Sequence, residues 1–465
     1  MPDPSISPEA DSMIPAAVAT AQMRRDREAL AQAQAQIVEL RRPLQYLQSL
    51  PPYRIYTRAR RAYQHLPVGM RTWVRRAWVR RPKAEPFGPA TTPVSRHPRG
   101  RALVIDDHWP QPDRDSGSID IVNLVHALDL LGFDVILAAA RQHDTPSPER
   151  DALMHGGLRC LLPSDAASVD EFLVQQGHSL DLCVLCRVYC GGRFLEAVRH
   201  HALAARVIFN TIDLAFLREE RRAETTDDAA LRAAVRDVRA REEEIIRGSE
   251  ATLVVSRAEF DLLAKEVPEA LVAEMPLARA LTPPSTSFAQ RAGIGFIGGF
   301  AHAPNVDGIR YFLAKIWPLV LHDLPDLELT IVGADFPEGL LAGIPGRVRW
   351  LGHMPNVVPW FEGLRLTIAP LRFGAGAKGK VASSLAAGVP CIATSVAAEG
   401  MLLSEAAGVL VENDPGAFAL RLRDAYIDEV LWNRLSTGGL AYAAETLSLS
   451  RWQNRLDALL RQIGL

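Results

Sequence analysis

Two parallel β-sheets, each wound with helices on both faces, are what this sequence predicts: an α/β fold with two doubly wound domains. Three observations carry that reading. Short apolar runs alternate with helix-length polar segments from residue 101 onward. A stretch rich in Pro, Ser and Thr at 281–287 interrupts the alternation. The same rhythm then restarts at Ile294 and runs toward the C-terminus. A length of 465 residues exceeds one compact core, and 48% hydrophobic residues supply two.

In chain order, the strand candidates of the first series are 101–106, 134–139, 158–162, 181–187, 206–210 and 251–255. Those of the second begin at Ile294, Leu327, Arg347, Leu364, Pro390 and Val409. Asp414 and Pro415, residue types of the N-cap and first turn, open a helix that should run through Trp432. Trp452, Leu456, Leu459, Leu460 and Ile463 share one face of a last helix, which must dock on something. The divisions expected are an extension at 1–97, a first domain at 98–282, a second at 283–445, and a helix at 446–465 that crosses back to the first.

The segment PLRFGAGAKGKV at 370–381 is the strongest chemical signal. An apolar strand precedes it at 364–369 and a helix opens behind it at 381–387, so it reads as a phosphate cradle. Gly374, Gly376 and Gly379 let backbone N–H groups approach an anion, and Arg372, Lys378 and Lys380 add positive charge suited to a diphosphate. The bland alternative is a tight turn with a solvated rim. A position at the carboxyl end of a strand favours phosphate, and the expected ligand is a nucleotide or sugar diphosphate.

Charge and cysteine content narrow the class further. Lys and Arg number 52 against 54 Asp and Glu, a net charge of -2 that gives no reason to expect a nucleic-acid partner. Five cysteines, an odd number, point to a reducing compartment. No secretory pattern or membrane-length apolar run is visible, so the expected location is cytoplasmic. Cys183, Cys186 and Cys190 lie along or just past a buried strand and read as core and loop residues, not zinc ligands. The DRD at 113–115 imitates a metal-binding pattern but reads as loop capping or turn formation. His302 and His353 read as surface histidines of loops, and the charged run 218–250 as a solvated helical face.

Four signatures in fixed order then carry a resemblance: PDRDSGS at 112–118, NTIDLAFLREE at 210–220, FIGG at 296–299 with PNVD at 304–307, and the segment 370–400. Over 101–465 the sequence resembles the glycosyltransferase family 4-like enzymes (glycosyl transferases group 1) of GT-B architecture, with two Rossmann-like domains facing a cleft. The resemblance implies retaining transfer of a sugar from a nucleotide-sugar donor, with no metal or other cofactor. The acceptor it implies is a glycan, a lipid-linked oligosaccharide or a protein in surface polysaccharide or glycoconjugate synthesis. It places Arg372, Lys378 and Lys380 at the donor diphosphate with the amides of Gly298 and Gly299 opposite. Gly117, Asn305, Gly374, Gly376 and Ser383 belong to the same donor site, and Asp115, Asp213 and Glu399 take the catalytic positions. Glu399 has a plainer reading as a first-turn acid of the next helix.

The sequence departs from that family where many relatives carry two glutamates eight positions apart: Ala375 and Ser383 stand there. A neutral serine hydrogen bond is worth roughly 0.5–1.5 kcal/mol where a carboxylate would give roughly 1.5–3. Ala215 stands near where some relatives place a histidine. These departures motivate a second reading, a catalytically degenerate scaffold that binds a nucleotide sugar or glycan.

Outside the resemblance, Met23, Leu30, Ile37 and Leu44, with Leu40 and Leu47 between them, fit a heptad stripe that Pro43 should kink or end. The stripe at 23–47 reads as a coiled coil joining two copies or docking a partner, or equally as one amphipathic helix or a partly ordered tail. From 51 to 83 there are nine Arg and one Lys, no acidic residue, and interleaved Tyr53, Tyr56, Tyr63, Trp73 and Trp78. That mixture suits the surface of the inner membrane, with guanidinium groups for anionic headgroups and rings at the boundary. An acidic protein is the other partner it would suit.

Overall fold

A computed structural model describes residues 99–226 and 229–465. The heptad stripe at 23–47 and the basic-aromatic segment at 51–83 lie outside the described residues. Two sheets organise what is described, each of six parallel strands. The first is built from β1 (Gly100–Asp106), β2 (Phe133–Ala139), β3 (Leu182–Cys186), β4 (Arg206–Asn210), β5 (Ala251–Val254) and β6 (Val272–Glu274), in the order β2-β1-β3-β4-β5-β6. The second is built from β7 (Ile294–Ile297), β8 (Glu328–Val332), β9 (Arg347–Trp350), β10 (Leu366–Ala369), β11 (Cys391–Ala393) and β12 (Val409–Val411), in the order β12-β11-β10-β7-β8-β9. Central strands such as β3 and β10 are buried along their whole length, as parallel strands covered on both faces must be.

The helices that bear on the site are α1 (Ser116–Leu130), α2 (Ala215–Thr226), α3 (Ala229–Gly248), α4 (Arg257–Glu266), α5 (Ala303–Tyr311), α6 (Gly379–Ala386), α7 (Pro415–Ile427), α8 (Glu429–Thr446) and α9 (Leu449–Gln462). Local chemistry explains several of their ends. Asp115 caps α1, accepting from the Ser118 amide at 2.8 Å, and Ser256 caps α4. Asp414 caps α7 with Pro415 in its first turn.

The strands match the expected rhythm with two differences. Residues 158–162 form no strand but a single bridge, Leu137 to Cys160, and β6 is a three-residue edge strand too short to register as an apolar run. The helix expected through Trp432 instead ends at Ile427. Asp428 is extended there, and its carboxylate accepts from Val430 and Leu431 to start α8. A side chain that caps helices so well is a natural breakpoint between two of them.

Chain crossings join the two lobes. After β6 the connector passes through Arg279, whose amide donates to the Leu447 carbonyl at 2.8 Å beside the returning chain. Arg279 is buried, and its guanidinium grips Asp120 of α1 at 2.7 Å and the Ser116 hydroxyl. Beyond Leu447, α9 packs on the first lobe: Trp452, Leu456, Leu459, Leu460 and Ile463 share a core with Ala102, Val104 and Leu128. Arg99 and Asp457 add an ion pair at 2.6 Å. Leu456 is fully buried, so Leu456→Ala should destabilise the first lobe by about 2–5 kcal/mol, read as a lower urea midpoint. Asp428→Ala, which removes the cap between α7 and α8, should cost about 1 kcal/mol by the same measurement.

Candidate functional site

Each sheet reverses its strand order once, between β1 and β3 in the first and between β7 and β10 in the second. The crevice outside the carboxyl ends at such a reversal is where open α/β sheets bind ligands. The two reversals face each other. The loop leaving β10 reaches the first lobe at Gly376, where a Cβ would lie 3.1 Å from Asp213 and Val255 side chains and 3.6 Å from the Glu259 carboxylate. A Cβ on Gly379, at the start of α6, would collide with Ser116 at the start of α1. Gly376 also has φ +68, so glycine is required there on both counts.

On the first-lobe wall, Asp115 is engaged as the cap of α1, its second oxygen accepting from the Ser118 hydroxyl at 2.6 Å. Its carboxylate therefore holds the helix end. Gly117, two residues on, sits under Ile212 and Arg187, to which a Cβ would approach within 3.0 and 3.2 Å. Both neighbours occupy the left-handed region, Arg187 at φ 65 and Ile212 at φ 64. Such non-glycine positions cost about 1–3 kcal/mol each and cluster where a surface must be shaped. Arg187 is fixed by the buried Asp106 at 2.9 Å.

Asp213 follows β4 and is held by Arg218 of α2 at 2.5–2.7 Å. Burial raises its carboxyl, but the Arg218 guanidinium outweighs that and holds it below the usual carboxylate range. Glu259 is fully buried behind it and accepts from the Leu214 and Val255 amides at 2.9 and 3.3 Å. Burial pushes its pKa upward. Glu242 of α3, also fully buried, accepts from the Ala215 and Phe216 amides at 3.1 and 3.0 Å and so caps α2 from another helix. Its pKa rises to about 8, burial winning over the two amides. The run 218–250 is therefore not a purely solvated face: Arg218 and Arg221 turn to the cleft and Glu242 turns to the core.

On the second-lobe wall, the glycine loop carries three cations in different surroundings. Lys378 is buried, its ammonium donating to the Ala375 carbonyl at 2.8 Å and to that of Gly376. Burial lowers its pKa, while Glu259, Glu399 and Asp213 oppose the shift. Lys380 donates to Asn305 Oδ1 at 2.6 Å and lies 4.1 Å from the Phe296 ring centroid. Burial lowers it to about 7. Asn305 in turn donates to the Gly299 carbonyl at 2.7 Å, and a Cβ on Gly298 would touch its amide at 2.7 Å. Gly298, Gly299, Asn305 and Lys380 thus form one connected unit between β7 and α6. Arg372 differs: Asp307 of α5 pairs with it, Tyr311 lies beneath it at 5.3 Å, and its side chain is 45% exposed. Ser383 lies on the second turn of α6 and Ala375 is buried in the loop. Gly374 has φ +143.

Several residues bridge the two walls. Arg221 of α2 donates to Glu399 Oε1 at 2.8 Å and to the Gly374 carbonyl at 2.8 Å. Glu399 follows a short helix capped by Thr394, so it is not a first-turn acid. The Arg257 amide donates to the Gly400 carbonyl at 3.1 Å. His353 is no lone surface residue, since its Nε2 pairs across the boundary with Asp113 at 2.9 Å. His302, at the start of α5, is exposed toward the cleft. Desolvation, with Arg218, Lys380 and Lys378, lowers its imidazole pKa against the pull of Asp213.

The sequence reading missed Arg187, Arg221, Glu259 and Arg279. Their only local signal was the position of Arg187 just past a strand end, because their partners are distant in the chain. All five cysteines are buried, and burial pushes the Cys183 thiol up to about 12. No group of three His, Cys, Asp or Glu among the described residues has the arrangement of a metal site.

Residues 291–428, which hold β7 through α7, match the family described as glycosyl transferases group 1. A curated relative, an uncharacterized 44.6 kDa protein in the cps region of Klebsiella pneumoniae, is 25% identical over 134 residues, 27% of this chain and 34% of its own length. The chain thus spans about a third of the curated relative it matches. Among solved structures, sucrose-phosphate synthase of Thermosynechococcus elongatus superposes with a TM-score of 0.60 at 16% identity, over 78% of this chain and 99% of that one. Anabaena HepE in complex with UDP-glucose gives 0.56 at 12% identity, over 78% and 100% of the two chains. A Rickettsia africae glycosyltransferase gives 0.56 at 11%, over 79% and 99%. These likenesses establish a two-lobed fold of GT-B type, and within it residues 291–428 are similar to the glycosyl transferases group 1 family.

Proposed function

We propose that this chain transfers a sugar from a nucleotide-sugar donor to a hydroxyl acceptor, with retention at the anomeric carbon, in the cleft between the lobes. The observation that carries the reading is the pair of cations, buried Lys378 and half-buried Lys380, on a glycine loop at the strand-order reversal of the second sheet. In the reaction the bond from the anomeric carbon to the diphosphate oxygen breaks and a bond to the acceptor oxygen forms. The acceptor's proton leaves with the diphosphate. The protein's main task is to stabilise the departing diphosphate and exclude water.

Lys378, Lys380 and the amides of the Gly374–Gly376 turn are assigned to the diphosphate, with Gly298, Gly299 and Asn305 opposite them. Asp115 acts through the helix end it caps and beside Gly117, whereas Asp213 and Glu399 face the reacting sugar. Arg372, held by Asp307, takes a lesser part, and Ser383 is a neutral substitute at the ribose. The assigned steps draw on side chains and backbone amides alone. UDP is the nucleotide to test first, because HepE binds UDP-glucose. The cps-region relative supports an acceptor in surface polysaccharide assembly, where a lipid-linked oligosaccharide would suit the basic-aromatic segment at 51–83. No described helix is long and apolar enough to cross a membrane. The scaffold reading rests on Ala375 and Ser383, and turnover assays decide between the two.

Calorimetry against nucleoside diphosphates tests the assignment. Lys378→Ala and Lys380→Ala should each weaken the best binder by roughly tenfold or more, the loss expected for a charge-assisted hydrogen bond, and Arg372→Ala by less. Equal losses in all three would return Arg372 to the diphosphate. The pH dependence has a defined sign. Lys380 titrates near 7 before binding, and a diphosphate favours its charged form, so binding at pH 8 should take up a proton and affinity should fall as pH rises above 7. Titrations in buffers of different ionisation enthalpy would show that uptake, and Lys380→Arg, which keeps its charge, should reduce it to the share taken up by Lys378, whose pKa burial lowers to about 8.

A further inference from the structure

Helix α2 belongs to the first lobe, yet Arg221 on it hydrogen-bonds the backbone of the second lobe's glycine loop at Gly374. The same guanidinium is neutralised by Glu399, which also comes from the second lobe. Two other carboxylates crowd the loop, and neither is free to leave. Asp213 is gripped by Arg218 five residues on, and Glu259 is fully buried and bound by two backbone amides. The Arg221–Glu399 pair is different in kind. Both side chains are partly exposed, at 26% and 30%, and the pair is made across the lobe boundary. A planar guanidinium at the rim of a glycine turn presents its fork to an anion seated on that turn. A phosphate oxygen and the Glu399 carboxylate therefore compete for one donor set.

We propose that Arg221 is a phosphate-binding residue supplied by the first lobe and that Glu399 is its internal competitor. The inference rests on the reading that the cleft takes a nucleoside diphosphate. When the diphosphate seats on the loop at 374–378, Arg221 exchanges the carboxylate for a phosphate oxygen, and Glu399 is released toward the sugar hydroxyls. Because Arg221 and the loop belong to different lobes, the bound phosphate then ties the lobes together in place of the ion pair.

Calorimetry with UDP, ADP and GDP, each beside its nucleoside, separates the outcomes. For the diphosphate that binds best, Arg221→Gln should bind roughly tenfold or more weakly, with the matching nucleoside unaffected. Arg221→Lys, which keeps the charge without the fork, should fall between. Glu399→Gln should bind the diphosphate as tightly as the unaltered chain or more tightly, since the competitor is gone. Arg221→Gln that loses nothing, or loses the same factor with nucleoside and diphosphate, overturns the inference while the donor reading stands. So does Glu399→Gln that weakens the diphosphate as strongly as Arg221→Gln. An unaltered chain that binds none of the three diphosphates overturns the donor reading, and this inference with it.

Discussion

Charge balance across a buried boundary is the constraint on which the arrangement of this molecule depends. Lys378 is buried and Lys380 half-buried, and an unpaired charge in such a place is costly. The chain meets that cost with groups from both lobes. Backbone carbonyls of the loop and the Asn305 side chain receive the two ammonium groups, while Asp213, Glu259 and Glu399 surround Lys378 electrostatically. Arg218 and Arg221 keep the acids from outnumbering the bases. Most of these groups sit just past a strand or in the first turns of a helix, while Arg221 lies mid-helix on α2 and Glu399 just past a short helix. The fold places them there because both sheets reverse at facing points.

The same constraint explains why glycine recurs along the boundary. Gly376 and Gly379 are two of the positions at which the second lobe touches the first, against Asp213 and Ser116. Any side chain there would hold the walls apart and admit water between the charges. Low dielectric strengthens each ion pair, so a few tenths of an ångström matter to the electrostatics as well as to packing. Arg187 and Ile212 in left-handed backbone show that the first lobe also bends its chain to fit.

Much of the fold was legible in the sequence because parallel strands buried on both faces leave continuous apolar runs, as at Leu182–Cys186 and Leu366–Ala369. The glycine loop was legible because its glycines and lysines lie within a few residues of one another. Edge strand β6 and the single bridge at Cys160 are too slight to leave such a pattern. Arg221, Glu242 and Glu259 were hidden for a different reason. A charged residue on a helix looks solvated until the helix's neighbours are known, and the partners here lie 178, 26 and 45 residues away. Arg372 shows what the local pattern omits: it stands in the glycine segment, and its pairing with Asp307, 65 residues upstream, leaves no local trace.

The two chain crossings lie side by side, joined from the Arg279 amide to the Leu447 carbonyl. A single tether would let one lobe swivel about several axes. A pair of adjacent tethers, one of them pinned to α1 through Asp120 and the other anchored by α9, behaves like a door hung on two pins. The two tethers leave a single line about which one lobe can turn against the other. Turning about one line keeps the facing charges in register with their own partners.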